Sequence, residues 1–228
     1  MDLKKESARF AFTLIQDNSS IGLGDGSSIR LLAGFLKEGI QQGMKVNLYT
    51  SSLTTKAILQ DAGLTIHDIS IVDRLDQYFD GCDQVDHQLN ALKSGAGIHT
   101  YEKLLASMAE KFTILADESK YVSEFDASFP LVLEVLPQAT RFIMKELKKY
   151  WPEVSQSIRM NPETAGSVIT RNGNDLIDCR FLRWPQPAEV QIQSKKITGV
   201  VEISLFYQIA GSAIIAGESG VRQIFSQI

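Results

Sequence analysis

The chain has 228 residues, 44% hydrophobic and 22% charged, with a formal net charge of −4. This composition suits a soluble globular protein with one large domain, or a main domain and a smaller companion. The acidic balance excludes a basic nucleic-acid surface, no polybasic run gives a membrane signal, and apolar stretches such as SAIIAG fall far short of the roughly 20 residues that span a bilayer. The charged start, MDLKKESARF, has no apolar signal-peptide core behind it. Cys82 and Cys179 lie far apart and fit a reducing cytoplasm better than a disulfide. His67, His87 and His99 are scattered and form no zinc motif.

In chain order, residues 2–17 read as an amphipathic helix. SSIGLGDGSS reads as a short strand entering a glycine-rich turn, and SIRLLAGFLKEGIQQG as the helix that the turn opens. KVNLYTS is a strand, TTKAILQDAG a helix, LTIHDI a strand, and DQYFD a short strand ending at Asp80. TYEKLLASMAEK follows as a helix and FTILADES as an apolar strand. This alternation predicts an α/β fold: a Rossmann-like, mainly parallel sheet with helices on both faces. Ligands of such sheets gather at the carboxyl ends of the strands, which is where GLGDGSS, TSSLTT, DGCDQVD and ADESK fall. The pattern changes after FPLVLEVLP. TRFIMKELKKYWPE is a helix stopped at Pro152. SIRM, GSVIT and NDLIDCRFL are strands with RNGN as a tight hairpin turn, PAEVQIQSKKITG a weaker helix, and VVEISLFYQIA a strand. These predict a small α+β domain over 129–205, with 1–128 and 206–228 forming the main domain. SAIIAGESGVRQIF then returns to the main domain as an added strand and turn.

GLGDGSS has the character of a phosphate-binding turn, because glycines let the backbone approach an anion and the following helix presents free N–H groups. Gly24, Asp25 and Gly26 would form the turn, with Ser27 and Ser28 adding hydroxyl donors. It lacks a Walker lysine and the third glycine of a dinucleotide turn, and a tight turn with a serine cap is the alternative. TSSLTTK is a second hydroxyl-rich helix start, or an ordinary N-cap. DGCDQVD fails as a calcium loop: counting from Asp80, the sixth position is Val85 and the twelfth Ala91, where glycine and glutamate are required. Taken alone, Asp83 or Asp86 is a turn or cap residue, Glu102 a solvated helix residue and Lys120 a surface lysine.

The order and spacing of GLGDGSS, DGCDQVD, KSGAGIHTYEK and ADESK resemble the type A ribose-5-phosphate isomerase family across nearly the whole chain. That family carries a GxGTGST-like turn, a DGADE-like loop, a lysine and glycine run leading to REK, and an ADxSK strand end. FPLVLEVLP, RNGNDLID and ITGVVEISLF also resemble it in order. The resemblance implies a cytoplasmic aldose–ketose isomerase of the pentose phosphate pathway. It would interconvert ribose 5-phosphate and ribulose 5-phosphate through an enediolate, without metal or cofactor. Glu102 would be the general base, Lys93 the oxyanion partner, and Asp80 and Asp83 contacts for sugar hydroxyls that assist ring opening. Lys4, Ser27, Ser28 and Lys120 fall where the family surrounds the phosphate, with Gly24, Asp25, Gly26 and Gly95 in the substrate loops. The partners expected are a sugar phosphate and a second copy of the chain in a homodimer, with no nucleic acid or membrane.

The chain departs from the family pattern at several positions. Asp25 stands for threonine, Gln84 for the glutamate of DGADE, Tyr101 for the arginine before Glu102, and the glycine run reads Ser94-Gly95-Ala96-Gly97. Two unit charges near 4 Å repel by about 1 kcal/mol in water and about 4 kcal/mol at an effective dielectric of 20, so Asp25 is expected to weaken phosphate binding unless Lys4 or Lys120 offsets it. Action on another sugar phosphate, or sugar-phosphate binding without turnover, are the competing readings.

Overall fold

A computed structural model describes residues 2–163 and 165–227. Residues 1 and 228, the outer bounds predicted for the main domain, lie outside the described residues. The elements in chain order begin with α1 (Leu3–Thr13), β1 (Ser19–Leu23), α2 (Ser27–Gln41), β2 (Val46–Thr50), α3 (Leu53–Asp61) and β3 (Ile66–His67). They continue with β4 (Leu75–Gly81), β5 (Gln84–Asp86), β6 (Ala91–Leu92), α4 (His99–Met108), β7 (Ala109–Asp117) and β8 (Tyr121–Val122). β9 (Leu131–Val135), α5 (Thr140–Tyr150), β10 (Ser155–Ile158), β11 (Asp175–Arg180) and α6 (Pro187–Lys195) follow. The last elements are β12 (Val200–Ile203), β13 (Leu205–Phe206), β14 (Ser212–Gly217) and β15 (Gly220–Phe225).

Seven strands form the main sheet in the order β15-β14-β7-β4-β1-β2-β3. All neighbours pair in parallel except the edge hairpin β14–β15. Because side chains alternate across a strand, each strand feeds two cores. Ile21, Leu23, Phe79, Leu115 and Ile214 pack with Ala8 and Ala11 of α1, Ile29 and Leu32 of α2 and Leu59 of α3. Tyr78, Phe112, Ile114, Ala213 and Ile215 face the opposite side, where Leu105 and Ala106 of α4 cover them. The predicted α/β sheet with helices on both faces is therefore the observed architecture.

The chain leaves β1 toward one side of the sheet and β4 toward the other, so the loops after these adjacent strands diverge. This makes the β1–β4 boundary the topological switch point, where an open α/β sheet has its crevice.

The smaller α+β domain is built on the antiparallel sheet β10-β11-β9-β12. Its core joins Leu131, Leu133 and Val135 to Ile143 and Leu147 of α5 and Val190 of α6. A third sheet, β13-β6-β5-β8, collects short excursions made after β4, β7 and β12.

Several predicted boundaries move. The helix predicted through Lys111 ends at Met108, because Ala109 already pairs with Leu75 in the main sheet. VVEISLFYQIA is two strands in two sheets: β12 pairs with β9, whereas β13 pairs with β6. The break falls at Ser204, whose N donates to Val132 O (2.8 Å), whose Oγ accepts from Val132 N (2.9 Å), and whose O accepts from Lys93 N (3.0 Å). GSVIT contributes only isolated bridges, Met160 with Ser167 and Ile169 with Asp175. The RNGN turn is present, closed by Thr170 N on Asn174 O and Gly173 N on Thr170 O. DGCDQVD, expected as a loop, contains β5.

Candidate active site

At the switch point lies a cavity of about 250 Å³. The turn after β1 contributes Asp25, Gly26, Ser27 and Ser28. The end of β4 contributes Gly81, Cys82 and Asp83, and the segment after β6 contributes Lys93, Gly95 and Ala96. Glu102 from α4, Leu115 from β7 and Lys120 from the turn after β7 complete the wall. Of the residues singled out from the sequence, Asp83, Lys93, Glu102, Asp25, Gly26, Ser27, Ser28, Gly95 and Lys120 thus meet in one place. Lys4 is exposed near the start of α1 and does not line this cavity, nor do Gly24 and Asp80.

Asp80 lies fully buried beneath the cavity, with 0% exposure. Its Oδ1 accepts from Gly81 N (2.7 Å) and Asp25 N (3.2 Å), and its Oδ2 accepts from Tyr78 Oη (2.8 Å). The fourth partner is Lys93, with Nζ 2.9 Å from Oδ2. Such a satisfied carboxylate is a foundation for Lys93 rather than a surface facing a ligand. Gly24 makes room for it: a Cβ there would lie 2.0 Å from the carboxylate. The Lys93 Nζ also donates to Gly81 O (2.8 Å) and sits 3.3 Å from Glu102 Oε1.

One buried ammonium therefore lies between two buried carboxylates. Burial by itself would depress Lys93, but Asp80 and Glu102 overcome this and hold it above the ordinary lysine value. Burial pushes Asp80 up, against the pull of Lys93. Glu102, 3% exposed, is driven up to about 8 by burial, with the Asp80 and Asp25 carboxylates adding to the shift and Lys93 opposing it. A carboxylate of raised pKa has the basicity that proton abstraction near neutral pH requires. Burial also pushes the Cys82 thiol up to about 12, which leaves it unreactive.

Asp83 ties two loops together: its Oδ2 accepts from Ser94 N (2.5 Å) and Gly95 N (3.2 Å). Arg159, a residue with no motif to announce it, grips the same loop from the small domain. It donates to Gly95 O (2.7 Å) and Ser94 O (2.8 Å) and pairs with Asp178. On the other wall, Gly26 occupies φ +112° as the N-cap of α2, and no side chain caps that helix. Its first N–H groups are left for an anion. Lys120 faces this wall with its Nζ held by Cys82 O (2.5 Å). The TSSLTT start is the ordinary cap: Ser52 Oγ accepts from Thr55 N (3.0 Å). Among the described residues, no group of three or more His, Cys, Asp or Glu is placed to hold a metal ion, and no helix is long and apolar enough to cross a membrane.

A lysine between two buried carboxylates, beside an uncapped helix start at the switch point of a parallel sheet, defines a small-molecule site equipped for proton transfer on an anionic ligand. Residues 47–220 match the family model of ribose 5-phosphate isomerase A (phosphoriboisomerase A). The chain is similar to ribose-5-phosphate isomerase A of Pyrococcus abyssi, 35% identical over 98% of this chain and 97% of that one. The Pyrococcus furiosus protein is 32% identical over the same shares. Among solved structures, a D-ribose-5-phosphate isomerase in complex with phospho-erythronic acid superposes with a TM-score of 0.92 at 32% identity, covering 98% of both chains. The Methanocaldococcus jannaschii enzyme gives 0.90 at 30%, again over 98% of both. The chain belongs to the ribose 5-phosphate isomerase A family.

Gly24→Ala is expected to expel the Asp80 carboxylate from its four partners. Breaking a buried ion pair costs about 3–5 kcal/mol, so the thermal midpoint should fall by several degrees or more. An unchanged melt would show that Asp80 is not wedged against this backbone.

Proposed function

We propose that this chain interconverts ribose 5-phosphate and ribulose 5-phosphate, with Glu102 as the base that carries the proton between C2 and C1. The carrying observation is the 3.3 Å approach of Lys93 Nζ to Glu102 Oε1 inside the cavity. Removing the C2 proton of the open-chain aldose leaves an enediolate. Returning that proton to C1 completes the ketose, while the hydroxyl proton moves from O2 to O1. The charge that develops on oxygen lies beside a fixed, buried ammonium, where preorganised charge is most effective. Asp80 positions Lys93 and keeps it charged. Asp83, whose Oδ2 is committed to the Ser94 and Gly95 N–H groups, lines the cavity and is suited to a sugar hydroxyl through its Oδ1. Ser27, Ser28, the start of α2 and Lys120 supply the phosphate wall, and Asp25 makes that wall less favourable than threonine would.

Glu102→Gln keeps the shape and removes the base. Conversion of ribose 5-phosphate should then fall by about 10²–10⁴-fold, the usual contribution of general base catalysis. Equal activity in the two proteins would remove Glu102 from this role. The sign of the pH dependence follows from the raised pKa: the base is protonated below about 8 and ionised above. In the free enzyme, kcat/KM should therefore climb about tenfold per pH unit toward a plateau above that value. A profile already flat from pH 6 would contradict it.

We place the division between the two domains near residues 128 and 206, and assign assembly to the small domain, giving a homodimer. Light scattering across a hundredfold range of concentration tests this, and a constant monomer mass would overturn it.

A further inference from the structure

Glu134, the last residue but one of β9, is 1% exposed and lies outside the cavity. Its carboxylate accepts from Thr170 Oγ1 (2.8 Å), Asn174 Nδ2 (2.8 Å), Asn172 Nδ2 (3.0 Å) and Thr100 Oγ1. None of these partners is a cation. Burial alone would raise its carboxyl, yet the four donors outweigh it and hold the group below its usual value. An ionised side chain kept dry by neutral donors is a costly way to fill a strand whose neighbours, Leu133 and Val135, already pack the core.

The identity of the donors explains where this carboxylate acts. Three belong to the 170–174 hairpin, and the fourth, Thr100, is in the first turn of α4, two residues before Glu102. That helix has Ile98 at its N-cap and no side-chain cap of its own, so its start must be held from outside. The same hairpin also grips Tyr101. Tyr101 Oη donates to Asn172 Oδ1 (2.5 Å), and the Arg171 guanidinium lies 5.3 Å over the Tyr101 ring. Arg171 Nη2 in turn donates to Ser51 O (2.8 Å), after β2. Asn172 thus links Glu134 through its amide nitrogen and Tyr101 through its oxygen. Both residues directly preceding Glu102 are held by one hydrogen-bonded circuit centred on the small domain.

We propose that Glu134 is a positioning residue for the proton-transfer base: its carboxylate gathers Thr100 and the 170–174 hairpin into a latch that sets the first turn of α4, and with it the place of Glu102 against Lys93. The proposal rests on the reading of Glu102 as the base. The small domain then acts on catalysis through α4, adding a hold on its first turn to the one that β12 makes through Lys103 Nζ on Glu202 Oε1 (2.8 Å) and Ile203 O (2.6 Å). Tyr101, where the family pattern has arginine, is accommodated by the same latch, with Arg171 bringing a guanidinium to that spot from the hairpin.

The test combines steady-state kinetics with an infrared titration of the Glu102 carboxyl, taken as a difference against Glu102→Gln. It is made on unaltered protein, Thr100→Val, Glu134→Gln and the double variant. Glu102 faces Lys93, Asp80 and Asp25, so a shift of α4 against them changes its titration as well as its reach. The expected result for Glu134→Gln is a kcat lower by about 10- to 100-fold, the scale of a small misplacement of a catalytic group. KM should stay within about twofold, and the Glu102 midpoint should move off about 8. Thr100→Val should act in the same direction, and the double variant should lose less than the two single losses multiplied, because both break one contact. Loss of thermal stability with kcat and the Glu102 midpoint unchanged would overturn the latch, as would simple multiplication of the two losses. If Glu134→Gln does not fold, Thr100→Val decides by the same two readouts. Full activity in Glu102→Gln would instead count against Glu102 as the base, a separate failure from an unmoved titration.

Discussion

The placement of one ammonium between two buried carboxylates is the constraint on which the site depends. Lys93 cannot be buried uncharged without stranding Asp80, and Asp80 cannot be buried charged without Lys93, Tyr78 and two backbone donors. Gly24 must lack a side chain for that carboxylate to fit. The third member, Glu102, is made more basic by burial and by the Asp80 and Asp25 carboxylates, which the nearby Lys93 offsets only in part. The electrostatic arrangement that holds these three side chains together is thus the same one that raises the Glu102 carboxyl.

Each member reaches the site by a different structural route. Asp80 comes from a central strand, where it pairs with Ile114 of β7 directly after Phe79, the last residue of β4 paired to β1. Lys93 follows β6 and is fixed by its own N–H on Ser204 O, at the point where the chain crosses from the small domain's sheet to the linking sheet. Glu102 comes from a helix start. Arg159 and Asp83 hold the intervening glycine-containing loop from two directions. The small domain is consequently continuous with the cavity walls, through Ser204, Arg159 and the hairpin after Ile169.

The opposite wall of the cavity has a different balance. The uncapped start of α2 and Lys120 favour an anion, and Asp25 opposes it. Thr55 Oγ1 donates its one proton to Gly24 O (2.7 Å), so α3 braces the backbone of the turn directly before Asp25. The turn that carries the acidic residue is held by a hydroxyl from the next helix, a partner that inspection of the turn alone would not reveal.

Much was legible in the sequence because it is local. Apolar periodicity marked the alternation of strands and helices, glycine and serine marked the turn at 24–28, and the ordered motifs carried Asp80, Asp83, Lys93, Glu102 and Lys120 as a set. Boundaries failed where pairing overrode local preference: Ala109 joined β7 because Leu75 was opposite, and Ser204 split one apolar run between two sheets. By itself the sequence determined the class of fold, the family and the chemical types at the site, since these depend on side-chain pattern and residue identity. Tertiary structure alone decided that Asp80 lies beneath the cavity, that Lys4 stands outside its lining, that Glu134, Arg171 and Asn172 contact the start of α4, and that Arg159 holds the loop at Ser94 and Gly95. The physical reason is that burial, ion pairing and the support of an uncapped helix are properties of contacts between segments distant in the chain, and no local pattern encodes those distances.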